Sequence, residues 1–199
     1  MSVSLLAAVL SGYLIGAVPT GLLLARAAGI DIRSHGSGNI GATNVSRTLG
    51  KKLGALTLIG DIAKAVFPML LVARFLPAGE KELGMALAGA AAFLGHCYPV
   101  YLGFQGGKGV ATALGVFLVL TPAAVFVEVV LFGLIVRLTG YVSVGSLAAA
   151  ALLPLLVWLF NRSAIATSLA GAIALVVWIK HRGNIDRLLR REEKSWNRR

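Results

Sequence analysis

Apolar residues occupy this chain in runs of about twenty, and polar residues collect in the short intervals between them. The runs 83–104 and 163–179 have the length of a helical bilayer crossing, which takes roughly 20 residues. No stretch alternates apolar with polar residues for long, so the pattern argues against a membrane β-barrel, which needs that period of two. It predicts an all-α integral membrane protein with spans near 4–26, 53–76, 83–104, 109–121, 123–137, 141–160 and 163–180. Residues 109–137 are the ambiguous part. Thr121-Pro122 divides one apolar stretch into halves that are each shorter than a full crossing. One kinked span there gives six crossings, and two short spans give seven.

Composition agrees with the pattern. Of 199 residues, 57% are hydrophobic and 14% charged, with a mean hydropathy of +0.83. A soluble domain carries about a quarter charged residues, so this chain has too few to cover a globule in water. The first apolar run has no basic residue before it and no small-x-small cleavage site after it, so it reads as an uncleaved first span ending at Arg26. The single cysteine, Cys97, rules out an intrachain disulfide.

Charge decides between six and seven. With seven spans, fifteen basic residues fall on one side: Arg26, Arg33, Arg47, Lys51, Lys52, Lys108, Arg137 and the eight from Lys180 onward. Arg74, Lys81 and Arg162 fall on the other, and Lys64 lies inside a span. Six spans would destroy that asymmetry. The positive-inside rule therefore predicts a seven-transmembrane-helix bundle with the N-terminus outside and the C-terminus cytoplasmic. The expected organisation is one membrane domain over 1–180 and a basic cytoplasmic tail over 181–199. Because the net charge of +11 gathers at span ends, it points to anionic lipid and an anionic substrate rather than nucleic acid. On this topology all chemically interesting segments emerge on the cytoplasmic face.

The first of these segments is "GSGNIGATNVSR", residues 36–47. Gly36, Gly38 and Gly41 fit G-x-G-x-x-G, with Asp61 twenty residues on. A dinucleotide fold would need a buried strand before the glycines; here a membrane-length helix stands on either side. Asp61 and Lys64, one turn apart in an apolar run, read instead as a neutralised ion pair near the membrane surface. What survives is anion chemistry: glycines bring backbone N–H groups close to a phosphate. Ser37, Asn39, Thr43 and Asn44 add neutral donors, and Arg47 a bidentate cationic one.

The second segment is "GHCYPVYLGFQGGKGVAT", residues 95–112. Gly106-Gly107-Lys108-Gly109 opens an apolar helix, so its first amides and Lys108 suit an anion, although a plain helix-joining turn explains the residues equally well. Leu102 and Gly109 stand where a Walker A loop needs Gly and Ser or Thr, so ATP binding is unsupported. His96 reads as a packed structural residue. Ser143 in "GYVSVGS" reads as a helix cap unless other evidence recruits it. His181 and Asn184, three apart in "KHRGNIDRLLRREEK", fall on one side of a helical turn. The rest of that tail fits either an interfacial helix on anionic lipid or a solvated charged tail. No spacing of His, Cys, Asp or Glu suits a metal, and no cofactor is expected.

Taken together, "GSGNIGATNVSR", "GHCYPVYLGFQGGKGVAT", "YVSVGS" and "HRGNI" resemble the bacterial acyl-phosphate-dependent glycerol-3-phosphate acyltransferase family over nearly the whole chain short of the tail. The resemblance implies a multi-pass enzyme of seven helices in the bacterial inner membrane. Such an enzyme transfers an acyl group from acyl phosphate to the 1-hydroxyl of glycerol 3-phosphate, giving lysophosphatidate and inorganic phosphate at the start of phospholipid synthesis. It implies that Ser37, Arg47, Lys108, Ser143, His181 and Asn184 line the substrate site, with Ser143, His181 and Asn184 as the catalytic set. Gly36, Gly38 and Asn39 would hold the acyl phosphate through their backbone. The implied partners are the two substrates and membrane lipids; oligomeric state is left open, and a monomer suffices. The alternative class is a phosphate or organic-anion transporter. That class would need polar lining toward both faces, for which only Asp61, Lys64 and Glu128 are available.

Overall fold

The computed structural model describes residues 2–196. All regular elements among them are helical, ten α-helices with two short 3-10 turns. The chain divides into two compact units, Met1–Val119 and Leu120–Arg199.

The first unit holds α1 (Val3–Gly16), α2 (Thr20–Ala27), α3 (Ala42–Leu49), α4 (Lys51–Phe75), α5 (Ala78–Cys97) and α6 (Val110–Leu120), whose last residue lies beyond the boundary. The first apolar run, expected as one helix, breaks between Gly16 and Thr20 because Pro19 has no N–H to continue the ladder. The helices of this unit meet along small residues. α1 lies on α5 with Gly12 against Ala88 and Gly16 against Ala92, where an added Cβ would overlap the opposing backbone. In lipid, where apolar tails compete with apolar side chains, such close approach supplies the packing that holds helices together.

The second unit holds α7 (Pro122–Thr139), α8 (Val142–Asn161), α9 (Ala164–Lys180) and α10 (Arg182–Leu189). α8 packs on both α7 and α9. Pro122 starts α7, where a missing N–H costs nothing. The Asn161 amide donates to Leu120 O at 2.8 Å and to Thr121 Oγ1 at 3.0 Å, supplying partners at the break that precedes α7. Ser163 caps α9 through the Ala166 N–H at 3.1 Å.

Five helical segments are long and apolar enough to cross a bilayer: Val3–Ala27, Lys51–Phe75, Ala78–Leu102, Pro122–Thr139 and Val142–Asn161. Ala164–Lys180 with Arg182–Leu189, bent by 54°, makes up to six. The protein is therefore a multi-pass membrane protein. The stretch 109–137 forms two helices rather than one kinked one, and Val110–Leu120 is the short member. Its 11 residues rise roughly 16 Å at 1.5 Å each, well under the ~30 Å of hydrocarbon.

The α1–α5 crossing makes a direct prediction. Gly16→Val should lower the unfolding midpoint in detergent by the equivalent of roughly 1–3 kcal/mol, the usual cost of overpacking. Gly171→Ala, where nothing stands within 4 Å of the new methyl, should leave the midpoint unchanged or raise it. Equal midpoints for wild type and Gly16→Val would remove the close-crossing account.

Candidate active site

The glycine-rich loop of the first unit is built around one buried side chain, Asn44, on the first turn of α3. Its Nδ2 donates to His35 O and Asn39 O, each at 3.0 Å, and more weakly to Ile32 O at 3.4 Å. Its Oδ1 accepts the Ser37 N–H at 2.9 Å. The sequence offered Asn44 as a donor to an anion. The structure corrects this: its amide is spent holding the loop in shape. The Gly38 N–H is likewise taken by His35 O at 3.0 Å, and Asn39 Oδ1 accepts the Gly41 N–H at 2.9 Å. Gly36 and Gly38 have φ of +64° and +71°, a region that favours glycine, which accounts for two of the loop's glycines.

Ser37 is exposed on the loop, and Arg47 is exposed on the last turn of α3. α3 itself begins at Gly41 without a side-chain cap, so its first amides and dipole favour an anion there. Arg33, by contrast, is occupied by a bidentate contact with Asp31, at 2.6 and 3.0 Å, which holds that exposed carboxyl well below its ordinary range.

The second loop of this unit lies close to the first. Leu102, in the 3-10 turn before the Gly-Gly-Lys-Gly segment, packs against the apolar core formed by Leu22, Ala25, Ile32, Ile40 and Val45. Ile32, Ile40 and Val45 of that core belong to or border the glycine loop. Lys108 is half-buried between the buried Gly107 and Gly109. The Gly107 N–H donates to His96 O at 3.0 Å.

In the second unit, Ser143 sits on the first turn of α8, buried, with its hydroxyl short of a fully formed hydrogen bond. His181 is buried at the break between α9 and α10. Its Nδ1 lies 2.8 Å from Val177 O, and a carbonyl only accepts, so Nδ1 carries the proton. In the neutral ring this leaves the lone pair on Nε2, the form a general base needs. Asn184, one turn on, donates its own N–H to His181 O at 2.8 Å.

A residue that the sequence did not single out joins these. Asn184 Nδ2 donates to Glu193 Oε1 at 2.6 Å, and Arg187 Nε to Glu193 Oε2 at 2.7 Å. Burial works against charge on Glu193, but hydrogen bonds from Asn184 and Arg187, with the Ser143 hydroxyl facing it, outweigh burial and hold the carboxyl below its ordinary range. The Trp196 N–H and the Ser195 hydroxyl both donate to Gly140 O, at 2.6 and 3.3 Å. The segment after α10 is thus tied back into its unit through the carboxylate. The only cue in the sequence is Glu192-Glu193 within an otherwise basic stretch.

The buried polar groups of the first unit also form a cluster larger than expected. Asp61 and Lys64 pair at 2.9 Å as expected, both almost wholly buried within the protein, and His96 lies beside the same carboxylate.

Comparison with known proteins identifies the chain. The family model described as glycerol-3-phosphate acyltransferase matches residues 6–191. The glycerol-3-phosphate acyltransferase of Desulfotalea psychrophila is 54% identical over 190 residues, covering 95% of this chain and 96% of that protein. That of Geobacter sulfurreducens is 54% identical over 176 residues, covering 88% and 89% respectively. Two crystal structures of the integral membrane glycerol 3-phosphate acyltransferase PlsY (YgiH) share the fold. The glycerol 3-phosphate form has a TM-score of 0.91 at 37% identity, covering 96% of this chain and 95% of that one. The lysophosphatidic acid form has a TM-score of 0.89 at 36% identity. Neither the relatives nor these structures support the transporter alternative. This chain belongs to the glycerol-3-phosphate acyltransferase family.

Proposed function

We propose that the acyl donor is acyl phosphate, and that the acyl group passes to the 1-hydroxyl of glycerol 3-phosphate to give lysophosphatidate and inorganic phosphate. The observation that bears most of this reading is the pairing of two glycine-rich loops over one apolar core, each with a cationic side chain, Arg47 and Lys108. Both substrates carry phosphate, and one carries a fatty chain, which suits a multi-pass protein. The finer membrane reading belongs here too: seven crossings in the bacterial inner membrane, with the N-terminus outside and the reaction at the cytoplasmic face. The fifteen-to-three division of basic residues supports it.

The roles divide by unit. In the first, Arg47 and Lys108 hold the phosphate of glycerol 3-phosphate, with Ser37 as a neutral donor. The backbone at Gly36, Gly38 and Asn39, with the uncapped start of α3, faces the acyl phosphate. Since the Ser37 and Gly38 amides are committed within the loop, the shape they fix matters more than their own donation. In the second unit, Ser143, His181 and Asn184 serve the reacting hydroxyl. Attack of that hydroxyl on the acyl carbon breaks the bond to the phosphate oxygen, so no covalent enzyme intermediate is required. Phosphate is a good leaving group, and the hydroxyl proton goes either to His181 Nε2 or to a substrate phosphate oxygen. Donors aimed at the developing oxyanion lower the barrier further.

Purified protein given palmitoyl phosphate and glycerol 3-phosphate should release inorganic phosphate only when both are present. Silence from folded protein, or equal turnover with an acyl thioester as donor, would overturn the donor assignment. Arg47→Ala should mainly raise the KM for glycerol 3-phosphate, and an unchanged KM removes its role as phosphate ligand. His181→Ala should lower kcat by roughly 10²- to 10⁴-fold if Nε2 takes the proton. A loss smaller than about tenfold assigns the proton to the substrate phosphate instead.

A further inference from the structure

The buried cluster in the first unit has no place in the roles above. Asp61 and Lys64 are three residues apart on α4, with side chains 3% and 5% exposed. Lys64 Nζ also donates at 3.2 Å to Val18 O, the carbonyl at the Pro19 break, which accepts the Thr20 N–H as well at 3.0 Å. The Asp61 oxygen that holds Lys64 lies 3.6 Å from His96 Nδ1, within ion-pairing range though longer than a hydrogen bond. A buried ion pair is weak evidence for stability, because apolar residues of similar volume often do as well. Closing the Pro19 break explains Lys64 and its counter-charge. It does not explain a histidine, buried on the last turn of α5, brought to the same carboxylate.

The other edge of the ring shows where the cluster leads. His96 Nε2 lies against Gly107, where an added Cβ would overlap it. The His96 carbonyl accepts the Gly107 N–H at 3.0 Å. A Cβ at Gly106 would meet His96 O, and Cys97 O at 2.9 Å; one at Gly109 would meet the Phe93 ring, and Cys97 Sγ at 2.9 Å. All three glycines around Lys108 are therefore seated directly on the end of α5. Lys108 lies between two glycines held against α5 in this way.

We propose that Asp61 and His96 are positioning residues for Lys108. Asp61 orients the His96 ring, and the ring and carbonyl of His96 together fix the turn that presents Lys108 to the phosphate of the acceptor substrate. The proposal rests on the reading of Lys108 as a phosphate ligand. It assigns the buried cluster a function beyond packing: to set the position of a cation on a loop that otherwise holds only glycine.

The test is steady-state kinetics with glycerol 3-phosphate varied at saturating palmitoyl phosphate, beside melting points in detergent. His96→Ala should raise the KM for glycerol 3-phosphate by roughly ten- to a hundredfold, the size of effect expected when a binding group is misplaced by about an ångström, while kcat changes far less. His96→Asn keeps an amide nitrogen near the position of Nδ1 and should recover most of the loss. Gly107→Ala should raise KM in the presence of His96 and add little in the His96→Ala background, where the ring has vacated the space. Asp61→Asn should raise KM in the same direction and also add little to His96→Ala. A folded His96→Ala with unchanged KM overturns the proposal. So does a fall in kcat and melting point with no change in KM, which marks His96 as a packing residue. If His96→Ala does not fold, Gly107→Ala and His96→Asn decide on the same criterion, and an unchanged KM in Gly107→Ala overturns the proposal. Wild-type protein that releases no phosphate would remove the enzymatic reading itself, so the two failures are separate.

Discussion

In a low-dielectric solvent, a backbone carbonyl released from a helix must find a donor within the protein. That constraint organises this molecule. At the Pro19 break Val18 O accepts from the Thr20 N–H and from Lys64, which needs Asp61 to be tolerated there, and Asp61 in turn faces His96. At Thr121 the donor is the amide of Asn161. At the bend between α9 and α10, His181 Nδ1 adds a second donor to Val177 O, which also accepts the His181 backbone N–H at 3.0 Å. Lys64, within α4, and Asn161, at the end of α8, thus donate to carbonyls at the interruptions of other helices.

The glycine-rich loop shows the same economy. It contains donors in abundance, and the structure uses several of them on itself. Asn44 ties together the carbonyls of His35 and Asn39 and the N–H of Ser37, so the loop holds its shape through its own polar groups. On the proposed reading of this loop as a phosphate site, such self-bonding keeps its shape and its cationic neighbour in place before a substrate arrives. That lowers the ordering cost of binding a highly hydrated anion. Glu193 does the equivalent in the second unit, gathering Asn184 and Arg187 around one carboxylate and fixing the segment that leads to Gly140.

Much of this was legible in the residues, but not all at the same level. The helical membrane class follows from run length and low charge. The first two motifs and the short "HRGNI" point to the family because their residue types and spacings are unusual in a membrane protein. Asn44 was misread because an amide in a polar loop looks the same whether it faces a ligand or the loop's own backbone. His96 reads as core because one histidine on an apolar helix shows nothing of the carboxylate 35 positions earlier in the chain. Glu193 was hidden within a basic stretch whose composition suggests a lipid-facing tail.

Sequence alone determined the solvent, the helical class, the break at Thr121-Pro122 and the family, since each depends on local composition or on motifs contiguous in the chain. Only the tertiary structure decided which donors are already spent, that Asp61, Lys64 and His96 form one cluster, and that the turn bearing Lys108 rests on the end of α5. Those facts are distances between residues far apart in sequence. They are set by how closely glycine and alanine let helices approach, and no local pattern encodes them.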